Sequence, residues 1–175
     1  MPITYNQLLA FDPGAFSTSA ANWKAWATSV LNHSKDLKSQ VGDPLQSTWT
    51  GTAADTAQTS LASMTGELSI SAGKISSING VLTTAAGTIE TAKAAAKAAA
   101  APLQAAGYTV QADGSIAALA NPTTAQKNAA SQIPGAEAAI KKALATAETA
   151  DESAATAMNG LLPPLPRAVA VTLGT

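Results

Sequence analysis

The 175-residue chain carries ten Lys or Arg against eleven Asp or Glu, one histidine and no cysteine, for a net charge of −1. This balance excludes a nucleic-acid binder that works by neutralising phosphates. It also excludes a disulfide frame, thiol chemistry and cysteine-bound zinc, and a multi-histidine metal site around the lone His33. Alanine supplies 42 residues and aromatics only 4%, so any core is thin and depends on close approach of helices rather than on bulk.

Residues 1–12 read as a short lead. The opening Met1-Pro2-Ile3-Thr4-Tyr5-Asn6 lacks the positive region and apolar stretch of a general secretory signal peptide. Asp12-Pro13 reads as a helix start, with Asp12 able to cap free N–H groups and Pro13 suited to the first helical position. From there Phe16, Trp23, Val30 and Leu37 recur every seven residues, followed four residues behind by Ala20, Ala27 and Val41. That stripe belongs to an amphipathic helix over 13–48 that needs a helical partner. Gly42-Asp43-Pro44 predicts a kink or break within it.

Trp49-Thr50-Gly51 predicts a chain reversal over 49–51, because a glycine after a helix can take the left-handed backbone that ends it. Thr52-Ala53-Ala54 opens the next helix, predicted over 52–106. Leu61, Leu68, Ile75, Leu82 and Ile89 stand at the a position of a heptad, and Ala96 and Leu103 continue it. Met64, Ser71, Ile78, Ala85 and Ala92 stand at d. At about 1.5 Å per residue this helix spans roughly 80 Å, a rod rather than a globule.

A second register runs along the same rod. Gly66, Gly73, Gly80 and Gly87 are also seven apart and fall at f, away from the leucine seam. Four glycines inside a helix cost about 3–4 kcal/mol together relative to alanine. One reading is a docking face, where small residues let another helix approach closely. The other is a tolerated, weakly helical surface in a chain of biased composition.

Gly107-Tyr108-Thr109-Val110 and Ser115-Ile116 flank Asp113-Gly114, a pattern that predicts a small β-hairpin over 108–118. Such a ribbon is marginal alone and has to pack on the helices. Asn121-Pro122 predicts the start of a third helix, 122–159, kinked at Ile133-Pro134-Gly135 and stopped near Asn159-Gly160. Its stripe of Ile140, Leu144, Ala147, Ala154 and Met158 suits an antiparallel return along the rod. Leu161-Leu162-Pro163-Pro164-Leu165-Pro166 then reads as an extended, polyproline-like exit and 161–175 as a mobile tail. The expected fold class is all-α: one elongated antiparallel helical domain over 1–160, with the first and third helices against opposite ends of the long second one.

No pattern carries catalysis, and no cofactor or metal is expected. His33, near Ser34 and Asp36, reads as a surface or interface residue. Glu137, Glu148, Asp151 and Glu152 alternate with alanine and read as a solvated helix face, and Lys93 and Lys97 as solubilising residues. Trp23 and Trp26, three apart, suit packing against a common neighbour. With no apolar run of about 20 residues and no basic amphipathic face, a membrane partner is disfavoured.

A helix, then Trp49-x-Gly51, then Ala53-Ala54 with Asp55 and Ala57 opening a second helix, resembles the Trp-x-Gly family of type VII secretion substrates. The resemblance covers about residues 13–90. The longer second helix, the 108–118 segment and the third helix look more like the extended N-terminal helical domains of actinobacterial secreted effectors. It implies a non-enzymatic protein, exported or held at the cell surface by a route independent of a signal peptide, with Trp49, Gly51, Ala53 and Ala54 as a recognition turn. The family's export signal is a tyrosine followed four residues later by an acid. Here Tyr5 is followed by Leu9 and Tyr108 by Ala112. The resemblance therefore implies a protein partner, either a second copy or a co-secreted helical protein that carries the signal. Two alternatives remain open: the targeting domain of a larger secreted toxin or hydrolase, and a structural coiled coil unrelated to secretion.

Overall fold

The computed structural model describes residues 2–161. Six α-helices follow in order: α1 (Tyr5–Ala10), α2 (Pro13–Leu37), α3 (Asp43–Thr48), α4 (Thr52–Ala105), α5 (Thr124–Ala130) and α6 (Ile133–Leu161). A π-helical segment, Lys38–Gly42, joins α2 to α3. The all-α class and the long central helix are as expected.

α4 is the spine. α2 runs antiparallel along its first half: the Asn79 amide donates to the Ala20 carbonyl at 2.8 Å, and the Ser34 hydroxyl to the Thr65 carbonyl at 2.9 Å. α6 runs antiparallel along the second half, with Ile140, Ala143 and Ala147 packed among Ile89, Ala92, Ala96 and Ala100. Alanine at most of these contacts lets the helix axes approach closely, which is how a chain poor in large side chains still builds a core. The two arrangements meet where Ala20, Ile78 and Leu82 pack with Phe16, Trp23, Met158 and Leu161.

Several expectations are corrected. The first twelve residues are not a plain lead. Thr4 and Gln7 form a reciprocal capping box that starts α1, and Tyr5 and Leu8 bury themselves in the α4–α6 core. The signal, a Thr with Gln three residues on, was present in the sequence. Gly42-Asp43-Pro44 does not break the helix. Pro44 brings no N–H to the ladder, and the chain inserts a π turn, with the Asp43 N–H bonded back to the Lys38 carbonyl.

The β-hairpin expected over 108–118 is absent. The segment is a reversing loop with a single antiparallel bridge, Val110 to Ile116. Two bonds cross the loop, from the Gln111 N–H to the Ser115 carbonyl at 2.7 Å and from the Ala117 N–H to the Thr109 carbonyl at 2.9 Å, and other backbone groups are taken by the helices. The Tyr108 N–H donates to the Leu103 carbonyl at 3.0 Å, Ala112 accepts from the Tyr5 N–H at 2.8 Å, and the Ile116 N–H donates to Glu137 Oε1 at 2.7 Å. Asp113-Gly114 does turn the chain, with Gly114 at φ +84°.

The third helix is two helices. Its cap is Thr123, in a capping box with Gln126, rather than Asn121. Pro134 sits in the first turn of α6, where its missing N–H costs nothing, so the chain breaks before it rather than kinking at it. The mobile tail expected over 161–175 lies outside the described residues, apart from Leu161.

Candidate docking surface

The tip of the α2–α4 hairpin is shaped by its backbone. α3 ends at Thr48. Trp49 is extended, at φ −127° and ψ 125°, and its N–H still reaches the Leu45 carbonyl. Gly51 follows at φ +107°, outside the range of residues with a Cβ, and serves as the N-cap of α4. A Cβ at Gly51 would meet nothing within 4 Å, so backbone conformation alone requires glycine. Asp55 donates its N–H to the Gly51 carbonyl at 3.0 Å. Ala54 is fully buried, Ala53 is exposed, and the Trp49 indole is 42% exposed. The turn is therefore formed without burying its tryptophan.

The heptad residues divide along α4. Leu82 and Ile89 are buried, whereas Leu61, Leu68 and Ile75 are half-buried. The cause is coverage. α2 and α6 flank Leu82, whereas the earlier positions are covered from one side, by α2 and the π segment and α3 that continue it. Exposed large apolar side chains follow the same division. Trp26, Leu31, Val41, Trp49, Met64 and Ile70 are all exposed, and all belong to the hairpin half.

The hairpin has two open sides. On one, Leu31, Lys35 and Lys38 face Leu61, Ala62, Gly66 and Ser69 across a groove of about 660 Å³. Gly42 lies on this groove too, and a Cβ there would fall 3.1 Å from Leu61 Cδ2, so the Leu61 side chain packs against the π segment. Gly66, Gly73, Gly80 and Gly87 are all exposed, with open space where a Cβ would stand. Among the described residues no helix packs on that face at these glycines. On the other side Trp23 and Trp26 hold their rings 5.3 Å apart in a tilted pair.

No three metal-ligating side chains cluster among the described residues, and no described helix is long and apolar enough to cross a membrane. Two charged residues read as solvated instead hold the fold. Glu137 takes the Ile116 N–H, and Lys93 Nζ donates to the Phe11 carbonyl at 2.6 Å, closing the end of α1. Neither contact has a local sequence signal, since each partner is distant in the chain. Asp113 accepts from the Ser115 hydroxyl at 2.6 Å and from the Ser115 N–H at 3.0 Å, which lowers its carboxyl below the ordinary value. Burial raises the Tyr5 phenol, an effect opposed by its hydrogen bond with Gln104.

Comparison with family models, curated proteins and solved structures finds no match for this chain.

Proposed function

We propose that this chain is a non-enzymatic, secretion-associated helical protein that pairs through its hairpin half with a co-exported helical partner. The observation that carries the reading is that, among the described residues, the exposed large apolar side chains all fall within residues 26–70, around the Trp49-x-Gly51 tip. Apolar surface gathered on one part of a chain marks a place where another molecule packs. The exposed indole at the tip suits an anchor residue, because tryptophan contributes a large contact area with few torsions to fix. The Trp-x-Gly resemblance supplies the link to type VII secretion, and the missing tyrosine–acid signal supplies the need for a partner.

The deciding experiment is export. Culture-filtrate levels of the chain are compared in an actinobacterial host with and without a working type VII system, with formaldehyde cross-linking to capture the partner. Loss of export only in the defective strain, with a cross-linked second helical protein, supports the reading. Retention in both strains overturns it. A homodimer retained inside the cell would favour a structural coiled coil, and export only when fused to a downstream catalytic module would favour a targeting domain.

A further inference from the structure

We propose that the π segment Lys38–Gly42 is a latch that keeps Val41 out of the groove between α2 and α4, with Pro44 holding it open. This inference does not rest on the secretion reading. It begins from a break in a period. Ala20, Ala27 and Ser34 are buried seven residues apart along α2, and Val41 is the next in that series. Val41 is nevertheless 41% exposed, and Gly42, partly buried, faces Leu61 in its place. Between Ser34 and Gly42 the wide turn has set the chain back by one position.

The cause is local. In a regular helix the Asp43 N–H would bond to the Ser39 carbonyl, and here it bonds to the Lys38 carbonyl. In that regular turn the Pro44 ring would press on the Gln40 carbonyl, and the wide turn relieves the clash. Gly42 contributes independently. In this register a Cβ at position 42 would stand 3.1 Å from Leu61 Cδ2, closer than ordinary packing, so a residue without a side chain is favoured there.

A regular turn would send Val41 elsewhere. The Asn79–Ala20 and Ser34–Thr65 bonds hold α2 and α4 in one antiparallel register. Continuing it sets position 41 opposite Gln58, nearly one turn from Leu61. Gln58 and Leu61 both line the groove of about 660 Å³, with Leu31, Lys38 and Gly42 on the facing wall. An isopropyl group turned into that seam would bury its apolar surface and narrow the groove. The open state thus leaves a valine in water and spares a proline its clash, the closed state does the reverse, and Pro44 decides between them.

The test uses thiol reactivity in the full chain, which has no cysteine of its own. Val41→Cys should react with iodoacetamide as readily as Ala25→Cys, a control at an exposed position on α2. Adding Pro44→Ala should slow the Val41→Cys reaction by about tenfold, because thiol reactivity follows access, and should leave the Ala25→Cys rate alone. Gly42→Ala should act in the same direction. An unchanged Val41→Cys rate in a folded Pro44→Ala chain would overturn the latch. A second measurement decides even if that variant folds poorly. Deleting Val41 together with Pro44→Ala removes the extra residue and leaves Gly42 facing Leu61 in a regular helix, so the melting midpoint should hold. Deleting Ala25 instead shifts the α2 seam and should lower it. Equal loss from the two deletions would overturn the proposal.

Discussion

The side-chain amide of Asn79 donates to the backbone carbonyl of Ala20 at 2.8 Å, a polar tie between two helices 59 residues apart in sequence. It lies beside the cluster in which α2, α4 and α6 meet. A directional bond at that level fixes the axial register of α2 on α4, which a seam of alanines leaves loosely specified.

Asn79→Ala should therefore lower stability by about 1 kcal/mol, the typical net value of such a bond. Chemical denaturation gives the magnitude. The axial effect is read separately, by cross-linking rates between cysteines placed on α2 and α4.

Gly114 and Gly80 should respond oppositely to alanine. Gly114 is at φ +84°, and its Cβ would stand 2.9 Å from Ile140 Cγ2. Gly114→Ala should cost about 1–3 kcal/mol of stability, visible as a lower Tm. At Gly80, mid-helix with open space around it, alanine should add about 0.5–1 kcal/mol. If the glycine face docks a partner, the combined Gly66→Ala, Gly73→Ala and Gly80→Ala chain gains stability yet loses pairing. Pairing retained at full strength would leave these glycines as surface.

At the hairpin tip, the two motif residues should separate. Gly51→Ala forces a Cβ into φ +107° and should cost about 1–2 kcal/mol. Trp49→Ala, at a half-exposed indole, should leave the melting midpoint nearly unchanged while weakening partner capture. Equal loss of folding in both variants would make Trp49 a packing residue.

Tyr5 carries an alkaline prediction. Its phenol is raised above the ordinary 10.0 by burial, so the folded state prefers the neutral form. The stability this contributes is complete below pH 10 and is lost as pH rises through the folded value. Tyr5→Phe should flatten the alkaline limb of the stability curve measured by helical circular dichroism. An unchanged limb would place the loss elsewhere.

The sequence disclosed what is periodic or local. Leu61 to Ile89 at seven-residue spacing announced α4, and Trp49-x-Gly51 announced the reversal. Asp12-Pro13 announced the start of α2, where the Asp12 carboxylate accepts the Gly14 N–H at 2.8 Å; Thr4 with Gln7 announces α1 as well, and Thr123 with Gln126, rather than Asn121-Pro122, announces α5. The 108–118 loop was misread for a different reason. Tyr108, Val110 and Ile116 have strand propensity, but β-propensity describes a side chain that fits a half-buried surface. That surface is made here by Leu103 and Ala136, not by a second strand. Lys93 on Phe11 and Glu137 on Ile116 were illegible, because nothing near either residue announces a partner 82 or 21 positions away.

One consequence of the α2–α4 pairing concerns width. Across residues 52–75 the described part of the molecule is two helices thick, and each helix is about 10–12 Å in diameter. The described residues therefore present a blade about 20 Å by 10 Å at the Trp49 end that thickens behind Ile78, where α6 joins. An aperture slightly wider than a helix pair would admit that blade tip-first without unfolding, and would meet its first resistance at the Ala20–Ile78–Leu82 junction.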